Sequence, residues 1–78
     1  MNAHFTFRKT MYDGGEALYS DFAVTTFRTE EAAIAAARKA LRWVSKQYNN
    51  PTILDTPTGA KMYAETDTRR ILLYYELA

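Results

Sequence analysis

TEEAAIAAARKALRWVSKQYNNP, residues 29–51, reads as one helix with both of its ends written in. Thr29 is a good N-cap, because its hydroxyl can accept one of the orphan N–H groups of the first turn. Glu30 and Glu31 follow, where the helix dipole favours anions. The run 30–48 is rich in Ala, Arg, Lys and Glu, all strong helix formers. Ile34, Ala37, Leu41, Val44 and Tyr48 recur at three- and four-residue steps and make one narrow apolar stripe. Pro51 cannot continue the helix, and Asn49-Asn50 can supply a left-handed cap.

The segments on either side alternate with a period of two. In 3–12 (AHFTFRKTMY), Phe5, Phe7 and Met11 point one way, and His4, Thr6, Arg8, Thr10 and Tyr12 the other. Lys9 interrupts the apolar side, which is easiest near a strand end or a sheet edge. Asp13-Gly14-Gly15-Glu16 is a turn, and a second strand is expected at about 19–28, with Phe22 and Val24 inward and Tyr19 and Phe27 opposite. Beyond the helix, 52–55 forms a short strand in one reading, and Thr56-Pro57-Thr58-Gly59 is a turn. Residues 60–66 alternate Ala60, Met62 and Ala64 against Lys61, Tyr63 and Glu65. Residues 70–77 place Ile71, Leu73, Tyr75 and Leu77 on one face. The fold class is α+β: an antiparallel sheet of four or five strands with one helix packed on one face, in the order ββαβββ or ββαββ. Short connections make the first two strands one hairpin and the last two another. No repeat or linker divides residues 1–78, so they form a single domain.

Seventy-eight residues allow one modest core, and a chain of this size buries only ~60–65% of its unfolded surface. There is no Cys, hence no disulfide and no thiolate metal site. Support from a partner subunit is the remaining route, unless the core is unusually well packed. Hydrophobic residues at 47% and aromatics at 14% exclude a disordered chain. No signal peptide and no run of about 20 apolar residues is evident. The expected location is therefore the cytoplasm, with no membrane contact. Ten basic and nine acidic residues give a net charge of +1, which argues against an acidic nucleic-acid mimic and against a polybasic arm.

Catalysis needs an activated group and a partner to activate it. The sole His4 has no evident orienting carboxylate, and the acids are scattered through turns and strand faces. Gly14-Gly15 is too short for a phosphate loop. The chain is read as a non-enzyme with no catalytic residue, no metal and no cofactor.

Three surfaces remain for binding. Arg38, Arg42 and Lys46 fall at i, i+4 and i+8, with Lys39 beside them; this row could meet phosphates, or be a solvated face whose cations suit the dipole. Trp43 lies roughly opposite the apolar stripe, with the small Ala32 and Ala36 near it and Lys39 and Gln47 as a polar rim. It is either an exposed anchor for a protein partner or a ring lying over a loop. The sheet face away from the helix should gather Tyr63, Leu72 and Tyr74, with Tyr19, Phe27 or Tyr12 adding to it. Such a patch suits a protein partner or a homodimer better than RNA, because no RNA-recognition signature accompanies it.

In size, in its targeting-free sequence and in its strand-strand-helix-strands layout, the chain resembles small phage-encoded inhibitor proteins, including some anti-CRISPR proteins. The Ala-rich helix after a hairpin and the Tyr-rich strands carry the likeness, which transfers no functional residue. It implies a stoichiometric blocker that works by occupying a surface. The function expected is a non-catalytic protein-binding module, an inhibitor from a phage or mobile element that blocks a host protein complex. The alternatives are a nucleic-acid-binding domain using Arg38, Arg42 and Lys46, and a structural homo-oligomer.

Overall fold

A computed structural model describes residues 4–78; Ala3, the first residue of the expected first strand, lies outside them. The elements run β1 (Phe7–Asp13), β2 (Glu16–Phe22), α1 (Glu30–Ser45), β3 (Thr52–Thr56), β4 (Gly59–Glu65) and β5 (Arg70–Leu77). The order is ββαβββ, and the five strands form one antiparallel sheet, β2-β1-β5-β4-β3. The last strand in the chain is thus the middle strand of the sheet, joining the β1–β2 pair to the β3–β4 pair.

The turn between β1 and β2 has a local cause. Gly14 and Gly15 adopt φ of 62° and 87° between the paired residues Asp13 and Glu16, a conformation that side-chain-bearing residues resist. The hairpin is also tied to β5's entry. Arg69 Nε donates to Asp13 Oδ2 at 2.9 Å, and the Arg70 backbone N–H donates to Oδ1 at 3.3 Å. The Arg69 hydrogen bond leads in holding the Asp13 carboxyl below its ordinary 3.8; partial burial opposes it and the Arg70 amide adds to it. A carboxylate with a lowered folded pKa stabilises the fold above its unfolded value, and that stability is lost as pH falls through the folded value. Asp13→Asn should therefore flatten the acid limb of a stability–pH curve between about pH 5 and pH 2. An unchanged limb would show that Arg69 does not hold Asp13 in solution.

Helix α1 begins at Thr29, whose Oγ1 accepts from the Ala32 amide at 3.1 Å. It ends sooner than the 30–48 run suggested. Lys46, Gln47 and Tyr48 donate to the carbonyls of Trp43, Val44 and Ser45, a tighter turn that closes the helix, and Asn50 takes φ of 50°. The buried side of α1 is Ala33, Ala37, Leu41 and Ser45, with Ile34, Val44 and Tyr48 half-buried beside it. Ser45 is accommodated because its hydroxyl donates to the Leu41 carbonyl at 2.7 Å.

The core lies between α1 and one sheet face: Phe7, Met11, Ala60, Met62, Ala64, Ile71, Leu73 and Tyr75 against Ala37 and Leu41. Burial pushes the Tyr75 phenol up to about 12. The helix packs on β4 and β5 and only marginally on β1. A five-stranded sheet is roughly 19 Å across at ~4.8 Å per gap, whereas one helix is only ~10 Å wide. One helix cannot cover this sheet.

Strand β2 departs from expectation. It starts directly after the turn and ends at Phe22, so 23–28 is irregular, with Phe27 bridged to Phe5 by reciprocal amide–carbonyl bonds of 2.7 Å. Phe22 and Val24, expected inward, are 56% and 99% exposed. Phe22 is in register with Arg8 on the face away from the helix, and Val24 is outside any strand. A register shift between Met11 and Tyr12 reverses the alternation partway along the pairing.

Candidate functional site

Two surfaces stand out. The first is the sheet face opposite α1. Register places Tyr63 beside Leu72 and Leu72 beside Tyr12, with Lys61, Tyr74 and Thr10 forming the next row. Tyr12 and Tyr74 meet edge to face, with ring centroids 6.0 Å apart. The surface is concave, about 720 Å³, and is lined by Tyr12, Tyr63, Leu72 and Tyr74 with Arg70 and Glu76 at its ends. Phe22 extends it beneath the Arg8 guanidinium, 4.5 Å from the ring centroid, and Leu54 projects from β3 at the other edge. The three residues expected here, Tyr63, Leu72 and Tyr74, are thus together, and Tyr12 joins them. Tyr19 and Phe27 do not. Tyr19 pairs with the inward Met11 and so lies on the helix side, while Phe27 packs against the core.

Two carboxylates on this face accept hydrogen bonds from neighbouring hydroxyls. The Tyr63 hydroxyl donates to Glu65 Oε2 at 2.8 Å, and this bond leads in raising its pKa above the ordinary 10. Glu76 Oε2 accepts from Thr58 at 2.9 Å and from Thr56 at 3.3 Å. Among the described residues no group of three His, Asp or Glu side chains is placed to hold a metal ion. Among the described residues no helix is long and apolar enough to cross a membrane.

The second surface is the helix side near Trp43. Trp43 is 69% exposed, and Lys46 Nζ sits 4.8 Å from its ring centroid. Beside it, an open groove of about 930 Å³ takes in Phe7, Phe27 and Tyr75 from below and Ala36, Ala40 and Val44 from the helix. Lys39 and Lys46 line it, as does Lys9, the residue that broke the apolar pattern of β1. Gln47 is exposed at the helix end and outside the groove. The signal for this groove was Lys9 itself, a cation in mid-strand on the side where Phe7 and Met11 are buried.

The basic row divides. Arg38 Nε donates to the Gly59 carbonyl at 2.9 Å, and its Nη2 to the Thr56 carbonyl at 2.7 Å. Arg42 Nη2 pairs with Asp55 at 2.7 Å, and Arg38 is 3.8 Å from the same carboxylate. Both arginines clamp α1 onto the β3–β4 hairpin, whereas Lys46 turns to Trp43. The row is therefore not a uniform strip of free cations.

Trp43→Ala should leave the melting curve nearly unchanged, since the ring is mostly in water, and wild-type emission should be red-shifted and quenched by acrylamide. A blue-shifted, unquenched emission would place the ring under cover.

No family model matches the chain, and neither a curated protein nor a solved structure matches it significantly.

Proposed function

We propose that this domain is a non-catalytic protein-binding module whose docking surface is the open sheet face. One observation carries the reading: the face of a five-stranded sheet that α1 leaves bare is a continuous tyrosine-rich apolar band, Tyr63–Leu72–Tyr12 with Tyr74 beside it. An apolar patch of this kind usually marks a contact, and Tyr is an adaptable anchor at low entropic cost. The layout resemblance to phage-encoded inhibitors, including anti-CRISPR proteins, extends the proposal to a stoichiometric blocker of a host protein complex, acting in the cytoplasm. The clamp made by Arg38 and Arg42 weighs against the nucleic-acid reading, because those guanidinium groups already have partners.

Tyr74→Glu with Leu72→Lys should preserve the fold, since both side chains are outside the core, and should abolish retention of a protein partner in the native host. The wild-type complex should persist from low to moderate salt. A phosphate-dominated complex would instead weaken steeply over that range. Sedimentation of wild type and double variant completes the test. A wild type that only pairs with itself, through a contact the double variant loses, would replace the heterologous partner with a homodimer.

A further inference from the structure

We infer that the groove between α1 and β1 is a second docking site, and that its occupant is an acidic amphipathic helix presented by a protein partner. The inference goes beyond the open-face reading and uses none of its residues.

With the sheet roughly 19 Å across at ~4.8 Å per gap and a helix ~10 Å wide, the helix side has room for two helices. Only one is present, and it sits over β4 and β5. On the β1–β2 side, half-buried Lys9 and exposed Tyr19 and Asp21 share the helix-side face with Phe7 and Met11, with no helix over them. The vacancy runs alongside α1, and the small Ala36 and Ala40 form the wall, so a second helix could approach closely. Trp43 projects at its rim and could close over an incoming apolar stripe.

Lys9, Lys39 and Lys46 line the groove, and among the described residues no Asp or Glu does. Arg38 and Arg42, which the same concavity touches, share the single carboxylate of Asp55, which offsets only one of their two charges. Among the described residues no carboxylate is within ion-pair reach of the three lysines, although Asp21 is the register partner of Lys9. An apolar floor with uncompensated cations along it selects an apolar stripe flanked by Glu or Asp. A second copy of α1 would bring Lys39 and Lys46 against their own kind, so self-docking here is disfavoured.

The probe is a synthetic helix of the length of α1 with Leu on one face and Glu on the other, compared with the same peptide carrying Lys for Glu. Trp43, the only tryptophan, reports directly. The Glu peptide should shift its emission to the blue with saturation, the Lys peptide should not, and added salt should weaken the effect. NMR shifts should map to Lys9, Phe27, Ala36 and Trp43. Lys9→Glu with Lys39→Glu, shown to fold by circular dichroism, should lower affinity for the Glu peptide by about tenfold or more and admit the Lys peptide. Equal binding of both peptides, no shift at millimolar peptide, or shifts mapped to Tyr63 and Tyr74 would each overturn the inference. So would a blue shift with anionic phospholipid vesicles and none with the Glu peptide, which would make this a membrane-facing surface. Tyr74→Glu with Leu72→Lys should leave the titration unchanged, so failure of the groove and failure of the open face are separable.

Discussion

Gly59→Ala should unfold the domain at temperatures where the wild type is intact. Gly59 is buried at the start of β4, opposite Glu76 of the central strand. A Cβ there would overlap the Tyr75 carbonyl oxygen and come within 2.9 Å of Glu76 Cα. Both obstacles are backbone, and β5 is held by ladders to β1 and β4, so it cannot move aside cheaply. The same residue's carbonyl accepts the Arg38 Nε bond, so a displaced β4 would also loosen the helix clamp. Gly59 has no positive φ, and the whole effect is steric. The expected cost is about 3 kcal/mol or more, against a total of about 4–12 kcal/mol at ~0.05–0.15 kcal/mol per residue. A melting midpoint within a few degrees of wild type would show that β5 yields after all.

Leu41→Ala should be comparably severe. Leu41 is fully buried in the cluster that joins α1 to the sheet, among Met62, Ile71 and Leu73. Removing it leaves a cavity between helix and strands, at a cost of about 2–5 kcal/mol. In a domain this small each kcal/mol lowers the melting temperature by about 4–8 °C. The neighbouring Arg42→Ala is the internal control. Its ion pair with Asp55 has both side chains about half exposed, 48% and 49%, and such pairs are worth ~0–1 kcal/mol. Equal, mild melts for the two variants would mean that α1 packs on a different face.

Legibility from sequence followed burial. Thr29 at the N-cap, Leu41 on the buried side and the last strand at 70–77 could all be read, because each belongs to an element with one covered side and a period to report. The alternation that buried Ile71, Leu73 and Tyr75 also put Leu72 and Tyr74 outside. Strand β2 is exposed throughout. With no buried face, periodicity there carried no information, and the register shift beside Tyr12 scrambled what remained. The strand was consequently expected too late, with Phe22 and Val24 inward. The groove was half visible: Trp43 stood out by its angle on the helix, but its floor comes from Phe7, Phe27 and Tyr75, on segments far apart in the chain. Only the packing of α1 to one side of the sheet reveals that floor. Arg38 and Arg42 read as a free basic row because their partners, Asp55 and the carbonyls of Thr56 and Gly59, belong to a hairpin whose position under the helix depends on tertiary packing.

Placing β5 at the centre has a kinetic corollary. β1 and β4 each hydrogen-bond to β5 and not to each other, so the N-terminal hairpin and the β3–β4 hairpin share no ladder until residues 70–77 insert between them. The pairing of Phe7 with Leu77 closes a loop of nearly the whole chain, an entropic cost incurred before the contact yields anything. During synthesis, a polypeptide that has reached only residue 69 has no finished sheet on which α1 could settle. Neither docking surface can exist on a nascent chain that stops short of β5, because the open face has Leu72 and Tyr74 at its centre and the groove has Tyr75 in its floor. The domain is therefore expected to become competent for binding in a single late step, when the last strand enters the sheet.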